Sequence, residues 1–223
     1  MTDSTSSTAR RRGAAARSDR LSRAQRRDQL LDSAAALFDE HGFDAITMER
    51  VAQRAGVSKA LPYSHFENAE DLVASLRDRE LSALALRLVE STMRVEGFED
   101  RVRVAVRTWF EVFEERGRLL ASFLRWLPDF EVASGSRPSR ETPFDWFLAE
   151  LFQRQRGLSP AVARVTQRIF VMGLVGALDA CSEGHLPQEQ VEQIAVCLAI
   201  GGVDALSHDT AVMSGAEEED SAL

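Results

Sequence analysis

Apolar residues recur at spacings of three and four in segment after segment, a pattern that predicts an all-helical chain. A first helix spans about Arg23 to Glu40. Leu30, Ala34 and Leu37 make one stripe on it, and Leu31, Ala35 and Phe38 its neighbour. Gly42 ends that helix, and Phe43 folds into a small core behind it. Next, Met48, Val51, Ala52 and Ala55 share a face, Thr47 stands at the cap position, and Ile46 and Val51 are spaced for a hydrophobic staple. Gly56 stops this helix, because glycine takes the left-handed conformation without a Cβ penalty. After one spacer, Ser58 caps a second short helix, Ser58–His65, which carries Lys59, Leu61, Tyr63 and His65. Core positions of this region are Val51, Ala52, Ala55, Val57 and Phe66.

A longer helix from about Glu70 to Ser91 carries Leu72, Leu76, Leu84 and Leu88 at compatible spacings. Gly97-Phe98 opens another, to about Glu115, with Val102, Ala105, Val106, Trp109, Phe110 and Phe113 inward. A shorter helix, Arg118–Trp126, is expected to end at Pro128, and Asp129–Thr142 reads as a loop by composition. Pro143–Arg156 is helical again. The last two helices, about Pro160–Glu183 and Pro187–Ser207, are the longest and most apolar. Small residues recur on them at Gly173, Gly176, Ala177 and Ala180, then at Ala195, Ala199 and Gly202, which lets backbones approach closely.

Two short helices joined by a glycine turn make a helix-turn-helix, whose second helix lies in the major groove of DNA. The base-reading surface is then the exposed face of Ser58–His65. Lys59, the only lysine among 27 basic residues, offers an ammonium to a guanine edge or a phosphate. Ala60 and Leu61 offer only apolar contact, for example to a thymine methyl.

Charge changes the picture once it is divided along the chain. The net charge of −8 looks wrong for a nucleic-acid binder, yet residues 1–67 carry +2 and residues 68–223 carry −10. Eight arginines against Asp3 and Asp19 give residues 1–27 a charge of +6. Residues 1–22 read as a disordered basic arm, lying along phosphates or in a minor groove, or simply solvated. Residues 208–223 read as an acidic disordered tail.

From about Arg26 to Leu72 the chain resembles the TetR family of bacterial transcription regulators. The resemblance rests on Ala34, Leu37-Phe38, Gly42-Phe43, Thr47, Val51-Ala52, Ala55-Gly56-Val57-Ser58, Tyr63, Phe66 and Glu70-Asp71-Leu72. Pro62 departs from it, standing where the family usually has an aliphatic residue. A proline there removes the bond from the fourth helical N–H to the Ser58 carbonyl. The resemblance implies a three-helix DNA-binding domain over 23–68 and a helical effector-binding and dimerisation domain over 69–207. It implies phosphate contacts from Thr47, Tyr63 and His65. It further implies a homodimer joined through the last two helices, where the alternative is a core internal to one chain.

Eleven aromatic residues fall between Trp109 and Phe170. Apolar, aromatic-lined cavities hold small ligands, and the resemblance implies an effector pocket here. Trp109, Phe110, Phe113, Phe123, Trp126, Phe147 and Phe170 are the expected lining. Arg107, Arg125, Asp145 and Gln167 are the polar groups available to orient an apolar or aromatic effector. No cofactor is expected. An enzyme fares badly as a reading, since the four histidines lack metal-ligand spacing and no phosphate loop or nucleophile elbow appears. A thiol sensor built on Cys181 and Cys197 is a second rival, set against the commoner case of inert buried cysteine. The N-terminus shows no secretory pattern, and the apolar runs Ile169–Leu178 and Ile194–Val203 look too short to span a bilayer. The expectation is a cytoplasmic, one-component regulator: most simply a repressor that binds a palindromic operator as a dimer and leaves it when ligand binds.

Overall fold

A computed structural model of the chain describes residues 21–133 and 143–209, and at 126–133 and 143–145 the backbone alone. The basic arm before Leu21 and the tail beyond Asp209 fall outside the described residues. So do the loop 134–142 and the side chains of Trp126, Phe130, Phe144 and Asp145. Among the described residues there are seven α-helices and no strand. They are α1 Arg23–His41, α2 Met48–Ala55, α3 Ala69–Thr92, α4 Phe98–Ala133, α5 Pro143–Arg156, α6 Pro160–Ser182 and α7 Gln188–His208. Single 3-10 turns lie at Phe43–Ala45 and Pro62–Ser64. Two compact units divide between Val73 and Ala74, inside α3 and not ahead of it.

In the first unit α1 starts on a capping box. The Ser22 hydroxyl accepts from the Gln25 N–H at 3.2 Å, and the Gln25 side chain accepts from the Ser22 N–H at 2.9 Å. Leu30, Leu31, Ala34, Leu37 and Phe38 are buried along α1, as the stripes predict. Phe43 packs on Phe38 with ring centroids 4.6 Å apart. The Gln29 side chain donates to the Ala55 carbonyl at 3.1 Å, giving the end of α2 a partner from α1. Arg54 grips Glu40 with two hydrogen bonds of 2.7 and 2.8 Å, which hold that carboxyl below its ordinary range.

The second unit packs around one apolar cluster drawn from α3 through α7, with Trp109, Phe110, Phe98 and Phe152 its largest fully buried members. One expectation fails here. The helix expected to stop at Pro128 runs on to Ala133, so Asp129–Ala133 is helix. A proline removes one donor, and the turns on either side can hold the helix around that gap. A break does fall between the expected end at Glu115 and the expected start at Arg118: Arg116, with φ of −141° and ψ of 22°, interrupts α4. There the Arg116 guanidinium donates to both oxygens of buried Glu80 on α3 at 3.1 Å. At the far end of α4, Arg156 on α5 bonds Asp204 on α7 at 2.7 Å, pairs with Glu99, and lies 4.1 Å over the Phe98 ring.

The last two helices also depart from expectation. By length and composition alone α6 and α7 could each cross a membrane, although the individual apolar runs are short. Only 28% of the apolar stretch of each is buried, so both present an apolar outer face.

Candidate nucleic-acid interface

The site begins with two helix ends. The Thr47 hydroxyl oxygen accepts from the Arg50 N–H at 3.2 Å and caps α2, while the side chain stays exposed. Gly56 closes α2 at φ 66° and ψ 34°, the left-handed conformation expected of it. Val57 N–H then reaches back to the Ala52 carbonyl at 3.0 Å, completing the reversal.

The α-helix predicted over Ser58–His65 does not form. The Ser58 carbonyl accepts from the Leu61 N–H at 3.0 Å, three residues on. Pro62 has no N–H, so the i to i+4 bond that would make this turn α-helical cannot form. The chain continues in the same tighter register until Phe66, whose N–H reaches the Pro62 carbonyl four residues back at 2.9 Å. Ser64 N–H bonds Leu61 and His65 N–H bonds Pro62, at 3.0 and 2.9 Å. Ser58 serves through its carbonyl, not as the side-chain cap expected. A row of turns thus replaces the recognition helix, anchored by buried Pro62 and Phe66.

The expected reading residues are mostly exposed. Ser58, Lys59 and Ala60 are exposed, and Tyr63 is 62% exposed; Leu61 and His65 are half-buried. Exposure of the lone tyrosine fits a polar contact better than a core role, since Phe66 fills the core place. Lys59 is not free: its ammonium is paired with Glu49 on α2. Both groups are exposed, so the pair is worth little and is easily exchanged for a stronger anion.

Sequence reasoning gave α1 a packing role only and missed its first turns. Arg23 donates to the Ser64 carbonyl at 3.4 Å, and Arg27 lies 4.9 Å over the Phe66 ring. Burial first, and then the nearby charges of Arg23, Arg27 and Arg26, push His65 below its ordinary range. The signal was present as three arginines at i, i+3 and i+4 on the first helix.

The other predicted sites fall in the second unit. Trp109, Phe110, Phe113 and Phe123 are buried in its core, with Trp109 stacked on Phe113 at 4.6 Å. Phe147 and Phe170 are half-buried against that core. Of the polar groups, buried Gln167 accepts from the Ala149 N–H at 2.6 Å, Arg107 is exposed, and Arg125 is paired with Asp179 at the surface. On the terminal helices Gly173, Gly176 and Gly202 are exposed and Ala177 and Ala180 half-buried, but Ala195 and Ala199 are buried in the chain's own core. Those two alanines allow close approach within the unit and cannot lie on an outer face.

The family model "Bacterial regulatory proteins, tetR family" matches residues 30–76, which span most of α1, both turns and the start of α3. The HTH-type transcriptional activator FasR of Mycolicibacterium smegmatis is 30% identical over 151 residues, covering 67% of this chain and 68% of FasR. The chain belongs to the TetR family. TetR-family proteins are DNA-binding transcription regulators, and the capped helix and glycine turn above are this chain's version of the shared motif. Solved TetR-like folds agree along most of the length. A TetR-like regulator from Rhodococcus sp. RHA1 superposes with TM-score 0.56 at 21% identity, over 82% of this chain and 98% of that one. The regulator FadR of Bacillus subtilis, solved with stearoyl-CoA, does so with TM-score 0.55 at 16% identity, over 80% and 96%. These likenesses extend the family fold into the second, helical unit.

Proposed function

We propose that this TetR-family chain is a one-component regulator that binds a palindromic double-stranded operator as a homodimer and is released by a small apolar ligand. The exposed residues Thr47, Ser58, Lys59, Ala60 and Tyr63 carry the DNA part of this reading. They combine hydroxyls, a phenol and an ammonium, the donors that phosphates and base edges accept. Lys59→Ala should cost ~1–3 kcal/mol of specific binding and relax base preference at its contact. Tyr63→Phe should instead weaken binding to all sequences alike. Operator titrations in which neither substitution changes affinity or specificity would place the reading surface elsewhere.

The homodimer is supported by what stays bare on α6 and α7. Val165, Ile169, Met172 and Gly176 recur at helical spacing on α6, as do Ile194, Leu198 and Gly202 on α7, and all are exposed. A second copy covering this face would seat Gly173 and Gly176 at the closest approach. That face suits a protein partner better than lipid, and the localisation we favour is cytoplasmic.

The ligand part rests on the aromatic core of the second unit. FadR, with the same fold, is solved with stearoyl-CoA, whose acyl chain is an apolar ligand of the class that such a core admits. Repression is the simplest mode, since an operator-bound dimer blocks a promoter without further contacts. Activation is the second reading, favoured by the likeness to the activator FasR. A thiol switch is disfavoured at Cys181, where burial first and Glu192 second push the thiol up and away from the reactive thiolate.

A further inference from the structure

Glu49 stands in the first turn of α2, two residues after the cap Thr47, and is exposed. Its carboxylate accepts from the Lys59 ammonium, ten residues on and beyond the Gly56 turn. The helix dipole favours an acid in a first turn, and that accounts for a carboxylate on α2. It does not account for the partner, which is the chain's only lysine and lies near the start of the segment read as DNA-facing. The Glu49 and Lys59 side chains are 65% and 77% exposed, so their pairing adds little to the stability of the unit. A carboxylate on a surface that meets DNA also repels phosphates and weakens binding to every duplex, unless the DNA itself gives it a donor.

We infer that Glu49 is a specificity-determining residue that reads one C·G base pair together with Lys59, the ammonium donating to guanine and the carboxylate accepting from the cytosine amine. This rests on the reading of Ser58–His65 as the DNA-facing segment. In the major groove guanine presents two acceptors, N7 and O6, and cytosine beside them presents one donor, the N4 amine. A donor and an acceptor that already reach each other match the neighbouring O6 and N4 of such a pair. An A·T pair offers its one donor between two acceptors and adds the thymine methyl, so it presents the wrong order.

The carboxylate discriminates by exclusion. In the free chain Glu49 offsets the charge of Lys59. On an unrelated sequence, drawing Lys59 to a phosphate leaves Glu49 facing the duplex without a donor, so the gain from one group is offset by the loss from the other. On the C·G pair both groups find a partner. The right site is therefore set apart chiefly by the penalty that Glu49 places on the wrong ones.

The experiment selects the full chain and its variants against a random-sequence duplex library, then titrates the selected duplex and an unrelated one. The unaltered chain should select a sequence containing a C·G pair that Glu49→Ala no longer requires. Glu49→Ala should also bind the unrelated duplex more tightly than the unaltered chain does. Its slope of log K against log salt there should be steeper by about 0.9, because the released Lys59 gains a phosphate. Its preference for the selected duplex should fall by about 5- to 150-fold. Glu49→Gln, whose amide pairs with adenine N6 and N7, should shift the selection at that position toward A·T. Lys59→Ala should lose preference at the same base pair, and the Glu49→Ala/Lys59→Ala double variant should lose little more than either single one. A Glu49→Ala protein, folded by circular dichroism, that selects the same sequence with the same preference overturns the paired reading alone and leaves Glu49 as a partner of the helix dipole. If the unaltered chain selects no sequence, the DNA-facing reading falls and this inference falls with it.

Discussion

Ile169→Glu or Leu198→Glu should give a folded monomer that has lost nearly all operator binding. Each residue is 69% exposed on α6 or α7, so the new carboxylate stays in water within one chain and leaves the core of the second unit intact. In a homodimer joined through that face the same carboxylate would be buried opposite its own copy, without a partner, at a cost of several kcal/mol. A dimer of the proposed kind would hold together two operator half-sites about one helical turn apart. Once the link is cut, the second half-site binds as a separate event, and affinity falls by about 10²–10⁴-fold. Light scattering reads the mass and an operator titration the affinity. A variant of unchanged mass would remove α6 and α7 from the interface. Ala199→Glu is the contrasting control: Ala199 lies in the core, so that substitution should unfold the second unit.

The second large effect is on stability. Trp109→Ala should destabilise the second unit by ~3–5 kcal/mol, because truncating a buried tryptophan removes its transfer energy and leaves a cavity. Trp109 is 1% exposed and stacked on Phe113, so it supports the unit whether or not a ligand lies nearby. The urea midpoint followed by far-ultraviolet circular dichroism measures this. A midpoint within experimental error of the wild type would mean that Trp109 faces an open cavity and not a packed core. Phe147 and Phe170, half-buried against the same cluster, are the better positions for altering ligand response while keeping the fold.

The two units differed in how legible they were. In the first, each local signal was carried by a residue with one physical use. Thr47 caps, Gly56 turns left-handed, and Phe66 fills the core, so the motif could be read with its order and spacing. Pro62 was legible as a missing donor, but its reach was not. One absent N–H pushed Ser58–His65 from helix into successive tight turns, because a segment that short has no neighbouring turns to hold it. Pro128 shows the opposite: there the helix continued to Ala133. In the second unit, spacing placed small residues on the terminal helices but could not say which way they faced. Ala195 and Ala199 recur at the same interval as Leu198 and Gly202, and only packing separates the inner row from the outer. The aromatic cluster has the same ambiguity, since filling a core and lining a cavity ask for the same side chains. The arginines of α1 were hidden by distance along the chain, about 40 residues from the turn they approach.

Thr47 meets the fold through its acceptor and keeps its donor. Its oxygen takes the Arg50 N–H, so the hydroxyl proton is left for something outside α2. Capping strength does not explain that choice, since aspartate and asparagine cap at least as well as threonine. Aspartate would also suit the positive end of the α2 dipole, yet it has no proton to give and would repel a phosphate. If a phosphate lies against Thr47, as proposed, position 47 would impose two separate filters: serine would pass both, aspartate only the one for folding, and alanine neither. A library randomised there and sorted for soluble, folded protein should retain serine, threonine, asparagine and aspartate together. Sorted instead for operator occupancy, the same library should lose its carboxylates and keep its hydroxyls, and survival of aspartate would show that no phosphate lies against this residue.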